Sequence, residues 1–190
     1  MKTLIFSILL STLFFAACNN GTPKNHTAEN PASAATVEPD KKAETPGTSI
    51  KGLLNGYMQI KNGLANDNGN DAATGGKAFN DALAKVDKSS MSAGQKKSFE
   101  DIADDAKEMA EHISTNAGKI AHQREHFDML SKDMYDVVKT FGAGQTLYQD
   151  FCPMYNNKKG ATWLSETKDI KNPYLGKEMP DCGSVKETLH

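Results

Sequence analysis

Apolar residues recur at helical spacing along one unusually long stretch. Phe99, Ile102, Ala106, Met109, Ile113 and Ala117 keep the period, and Ile120, Phe127, Leu130, Met134, Val138 and Phe141 continue it. One helix from Ser92 to Phe141 would be ~75 Å long at ~1.5 Å per residue. A chain of 190 residues has nothing to support it. The run must fold back, and Thr115-Asn116-Ala117-Gly118 supplies the corner.

Two shorter helices precede it. Ser49 is placed to cap a helix from Ile50 to about Leu64, with Ile50, Leu53, Leu54, Tyr57, Met58 and Leu64 on or near one stripe. Asn66-Asp67-Asn68-Gly69 is a break. Asn70 or Asp71 then starts a helix that turns Ala72, Gly76, Phe79, Leu83 and Val86 inward and ends at Lys88-Ser89-Ser90. Gly75 and Gly76 cost that helix about 1 kcal/mol each in propensity, which close approach to another helix would offset. Gly142 and Gly144 end the helical part. The expected fold is mainly α: an up-and-down four-helix bundle over about 48–143, with an irregular C-terminal segment, about 144–190, packed on it. A pair of longer antiparallel hairpins is the alternative topology.

The chain begins differently. Lys2 precedes an apolar run from Leu4 to Phe15, and the small residues Ala16 and Ala17 stand before Cys18. This is the layout of a secretory signal peptide. It resembles a bacterial lipoprotein signal over residues 1–18, which implies removal of the residues before Cys18 and a lipid on Cys18. An ordinary signal peptide cut near Cys18 is the alternative. Residues 19–47 are rich in Asn, Thr, Ala, Pro and Lys, with Val37 the one large apolar residue, and read as a disordered tether containing a solvated His26. The expected location is the cell envelope, periplasm-facing, with the membrane reached through the lipid on Cys18.

Charge narrows the function. Lys and Arg number 22 against 24 Asp and Glu, so the chain lacks the basic surplus of a nucleic-acid binder, and no nucleic-acid partner is expected. Three Cys are too few for a disulfide scaffold or a Cys-only zinc finger.

The chemistry gathers in the last forty residues. Pro153, Pro173 and Pro180 forbid a long helix there. Two Cys-Met pairs stand out, Cys152 with Met154 and Met179 with Cys182. Thiolate and thioether are soft ligands suited to Cu(I) and its congener Ag(I), and Zn(II) is less favoured without His or carboxylate beside them. A Cys152–Cys182 disulfide is the competing reading, permitted in an oxidising envelope. It would staple the segment by about 3–4 kcal/mol in loop entropy. Trp163 reads as core, with capping of a soft cation the lesser alternative.

The string Cys152-Pro153-Met154, Trp163-Leu164-Ser165, Asn172-Pro173-Tyr174, Gly176, Met179 and Cys182-Gly183 resembles a domain-of-unknown-function family of envelope lipoproteins, also fused to periplasmic adaptor subunits of copper/silver efflux pumps. The resemblance runs from about Ile50 to Leu189 and includes Tyr57, Leu64, Gln123-Arg124, Phe127 and Leu130-Ser131. Cys152-Pro153-Met154 is also similar to the Cys-Pro-Met-His core of short heavy-metal-binding segments, with Tyr155 in the place of that His. The resemblance implies Cys152, Met154, Met179 and Cys182 as ligands of copper or silver, and an efflux adaptor or metallochaperone as partner.

His122-Gln123-Arg124-Glu125-His126 matches the H-x-x-E-H pattern of inverted zinc metalloproteases, with both His on one helix face and Glu125 as the base. Such an enzyme needs a further ligand far downstream and a large cleft. His122 and His126 are expected instead at the edge of a solvated face, or as secondary metal contacts. Arg124 is placed to cap or to pair with the tail, and His112 and His190 read as surface residues. Asp101, Asp104, Asp105, Glu108 and Glu111 form a solvated acidic face. Phosphate-loop and nucleophile-elbow patterns are absent. No enzyme is expected; the expected function is binding or handing over Cu(I) or Ag(I) as an accessory to efflux.

Overall fold

A computed structural model describes residues 50–190. The signal segment, Cys18 and the tether lie outside the described residues. Four long helices come first: α1 (Lys51–Ala65), α2 (Gly69–Leu83), α3 (Ala93–Thr115) and α4 (Ile120–Phe141). α1 packs on α2 and α4, α2 on α3, and α3 on α4, which is up-and-down order. Among the described residues no helix is long and apolar enough to cross a membrane.

Local chemistry sets the helix ends. The Asn68 side chain accepts from the backbone N–H of Asn70 and Asp71, so α2 begins at the expected break. Ser92 and Gln95 form a reciprocal capping box that starts α3. The α3–α4 corner falls on Asn116–Lys119, as the hydrophobic run requires. α4 stops at Gly142, whose φ is 76°. α2 is shorter than the sequence suggests, ending at Leu83 with turns through Val86.

The glycines of α2 are close-contact points. A Cβ at Gly75 would meet the backbone nitrogen of Ile60 in α1 at 2.6 Å, and one at Gly76 the carbonyl of Ala110 in α3 at 2.7 Å. α2 is wedged between its two neighbours, and the propensity cost is offset by that approach.

The C-terminal segment packs on the bundle, as expected, and it also contains a sheet that the sequence reading did not anticipate. β1 (Leu147–Cys152), β2 (Ala161–Ser165) and β3 (Ser184–Leu189) are antiparallel in the order β2-β1-β3. Pro153, Pro173 and Pro180 fall between the strands, where a missing N–H breaks no ladder. A bulge interrupts the β1–β3 register between Gln149 and Asp150. β2 lies against α4.

Aromatic rings join sheet to bundle. Tyr57 of α1 stacks on Phe127 of α4 at 5.0 Å, Phe127 meets Tyr174 at 5.7 Å, and Trp163 meets Tyr174 edge-on at 5.9 Å. All four are buried, so Trp163 is a core residue. Polar links run through the same layer. The backbone N–H of Leu164 donates to the Tyr57 hydroxyl at 2.9 Å, which lies 2.8 Å from Ser131 Oγ. The Tyr174 hydroxyl donates to the Thr162 carbonyl at 2.6 Å.

Candidate functional site

Cys152 ends β1 and is buried; Cys182 sits in the turn before β3 and is half-buried. Their sulfurs lie 2.7 Å apart, although 30 residues separate them in the chain. The Cys182 backbone N–H donates to the Met179 carbonyl at 3.2 Å, which closes the Met-x-x-Cys turn. Burial and the adjacent Cys152 push the Cys182 thiol up, and a hydrogen bond from the Met154 backbone opposes this. Met154 and Met179 therefore flank the thiol pair through their backbones. Their side chains are 45% and 40% exposed, where a large apolar group is normally covered.

The rest of the C-terminal string holds this corner in place. The Asn172 side chain is fully buried and makes three bonds: its Nδ2 donates to the Cys182 carbonyl at 2.7 Å, and its Oδ1 accepts from the N–H groups of Tyr174 and Leu175 at 2.8 and 2.9 Å. Arg124 does pair with the tail. Its Nε donates to the Pro173 carbonyl at 2.9 Å, and its Nη2 donates to the Leu64 carbonyl at the end of α1 at 3.0 Å and to Asp67 at 2.5 Å. Asp67 also accepts from the Lys177 backbone, and the two contacts hold its carboxyl below the usual range. One guanidinium thus ties α1, α4 and the tail together.

Further into the sheet, Asp150 is fully buried on β1 and neither carboxylate oxygen has a protein partner. Burial raises its pKa to about 7, opposed by the charge of Lys61, itself buried in α1.

A second cluster forms where α3 meets α4. His122 and His126 lie one turn apart on α4, with their Nε2 atoms 3.1 Å apart. His112, expected as an isolated surface residue, comes across from α3 and stacks on His126 at 4.2 Å with the ring planes 8° apart. One ring nitrogen from each of the three lies within 4.8 Å of the others. His126 Nδ1 is 3.3 Å from Met109 Sδ, His122 Nδ1 is 3.6 Å from Glu125, and His112 Nε2 is 3.8 Å from Glu108. Burial first, then the two neighbouring imidazoles, pull the His126 pKa down. The third histidine comes from upstream across the corner, not from far downstream as the protease pattern requires. The signal was present in the chain: a corner at Thr115–Gly118 brings position 112 beside 122 and 126. The acidic residues of α3 are exposed, as expected.

The molecule is a four-helix bundle with a small sheet on it, carrying one sulfur corner and one histidine cluster. Residues 53–146, which run from α1 through the end of α4, match the family described as "Protein of unknown function (DUF3347)". The bundle thus carries a domain of unknown function, and the match stops one residue before β1. No curated protein and no solved structure matches the chain.

Proposed function

We propose that the protein is a lipid-anchored envelope protein that binds Cu(I) or Ag(I) at the sulfur corner. In this reading it is not an enzyme but an accessory to copper or silver efflux, exchanging metal with an efflux adaptor or metallochaperone. The observation that carries the reading is the approach of Cys152 and Cys182 to 2.7 Å with two exposed methionines beside them. Thiolates supply charge and affinity, and thioethers favour a soft monovalent ion while permitting exchange. The residues preceding Cys18 support the anchor.

The test is a Cu(I) competition titration of the reduced protein under anaerobic conditions against a chromogenic chelator. Binding of one Cu(I) per chain, lost in Cys152→Ser and weakened in Met154→Leu with Met179→Leu, is expected. An unchanged affinity in the double methionine variant overturns the four-sulfur site.

The same sulfur approach favours a second reading, a Cys152–Cys182 disulfide. It would close a loop of about 30 residues and contribute about 3.6 kcal/mol in the chain-entropy picture. The protein would then be a stapled interaction module of the envelope. Mass measurement after alkylation without reductant separates the two: two alkylated thiols rule out the permanent staple.

A further inference from the structure

We propose that His112, His122 and His126 form a binding site for a divalent transition-metal ion of borderline softness, Zn(II) or Cu(II), independent of the sulfur corner. The argument starts from protons. His126 Nδ1 faces the Met109 sulfur at 3.3 Å, and His122 Nδ1 faces the Glu125 carboxylate at 3.6 Å. Sulfur and carboxylate are acceptors, so a proton on Nδ1 of each ring suits both contacts and leaves each Nε2 free to ligate an ion. Both Nε2 lone pairs then point into the same space, 3.1 Å apart. In that tautomer the pair offers two nitrogen ligands to one cation.

His112 adds a third ring to this pair. Here a third imidazole is stacked on His126 at 4.2 Å and packed edge-on against His122 at 5.7 Å, which brings a third nitrogen within 4.8 Å of both. The three rings form a three-nitrogen ligand set for an ion such as Zn(II), whose tetrahedral nitrogens stand ~3.3 Å apart at bond lengths of ~2.05 Å. Among the described residues no other cluster of three His, Cys, Asp or Glu side chains meets this geometry.

The surroundings fit the same ligand. Glu125 lies beside Nδ1 of His122 and Glu108 beside Nε2 of His112, and a carboxylate at one ring nitrogen orients an imidazole that ligates through the other. The rings of His112 and His122 are 42% and 38% exposed, so an ion can enter and a water can take the remaining position. Glu108, Glu111 and Thr115 line a cleft with His112, and its carboxylates raise the local cation concentration. Imidazole selects Zn(II) or Cu(II) over the Cu(I) that sulfur prefers, so the two sites sort ions by softness.

The test uses the protein carrying Cys152→Ser and Cys182→Ser, so that the thiolates of the sulfur corner are removed. Zn(II) is titrated by calorimetry and Cu(II) by electron paramagnetic resonance. One ion per chain is expected, with superhyperfine coupling from three nitrogens. His112→Asn should weaken Zn(II) at least tenfold and reduce the coupling to two nitrogens, while His190→Gln changes neither. Circular dichroism checks that each variant folds. Zn(II) binding no tighter than about 1 mM, an affinity of about 4 kcal/mol, overturns the site. So does tighter binding that is indifferent to His112→Asn. Because both thiols of the corner are absent throughout, failure here says nothing against Cu(I) binding at the sulfur corner, and failure there leaves this site standing.

Discussion

Replacing Asp133 by Asn should stabilise the protein at neutral pH. Asp133 lies on α4 and is half-buried. Burial raises its pKa from 3.8 to about 6, and the carboxylates of Asp105 on α3 and Asp136 on α4 add to the rise, opposed by Lys132. In the unfolded chain the group ionises near pH 4, so between about pH 4 and pH 6 the folded state holds a proton that the unfolded state has released. Folding stability therefore falls as pH rises through that window and is level above it. The rise corresponds to about 3 kcal/mol at ~1.36 kcal/mol per pH unit, and partial exposure trims it to about 2 kcal/mol. Asn at this position carries no charge at any pH. Urea denaturation of both proteins at pH 4, 5, 6 and 7 should show the Asn variant gaining on the wild type by about 2 kcal/mol across the series, with most of the gain reached by pH 6. A difference that stays constant with pH, or one that favours Asp as pH rises, would refute the reasoning, because Asp133 would then be solvated or paired in the folded state.

Three further outcomes follow from contacts in the core and the tail. Gly75→Ala should destabilise by about 1–3 kcal/mol despite its gain of about 1 kcal/mol in helix propensity, because its Cβ meets the Ile60 backbone at 2.6 Å; thermal melting reads the sign. Tyr57→Phe strands the Leu164 N–H in the core and should cost about 1–3 kcal/mol in urea denaturation, and an unchanged midpoint would mean that another acceptor takes over. Asn172→Ala removes three bonds at once, one of them to the Cys182 carbonyl; hydrogen exchange should rise at Tyr174 and Leu175, and Cu(I) affinity should fall with both cysteines intact.

The helices were legible because each rule for them is local. The 3.6-residue period, the Asn68 and Ser92 caps and the glycine at 142 all act within a few positions of the residues they organise. The sheet was not legible for the opposite reason. β1, β2 and β3 are 5–6 residues long, and their burial does not alternate cleanly: in β1, Leu147, Asp150 and Cys152 are buried while Tyr148, Gln149 and Phe151 are half-buried. Leu147 finds its partner at Leu189, so the pairing that makes the strand is invisible from its own neighbourhood. The histidine cluster shows a middle case. His122 and His126 carried an i, i+4 signature, and His112 carried none until the corner after Thr115 is folded in three dimensions. Arg124 is similar: a cationic side chain in α4 predicts a partner, but Pro173 and Leu64 offer carbonyls that no charge pattern reveals.

The sulfur corner depends on the bundle although it lies beyond the matched domain. Cys182 is held by Asn172, and Pro173, the next residue, by Arg124 of α4; Tyr174 is buried against Phe127 of the same helix. Cys152 sits at the end of β1, which pairs with β2, and β2 is fixed to α1 by the Tyr57 hydroxyl at Leu164. Cys152 is thus positioned by a strand, and Cys182 by a turn that the Asn172 side chain ties down. The histidine cluster draws on α3 and α4 alone, and no hydrogen bond described above joins it to Asn172 or to either cysteine. A substitution at Asn172 should disturb sulfur and spare nitrogen, and one at His112 should do the reverse. On the two proposals above, ligand sets of different softness built on separate elements of one small fold are expected to fill and empty independently.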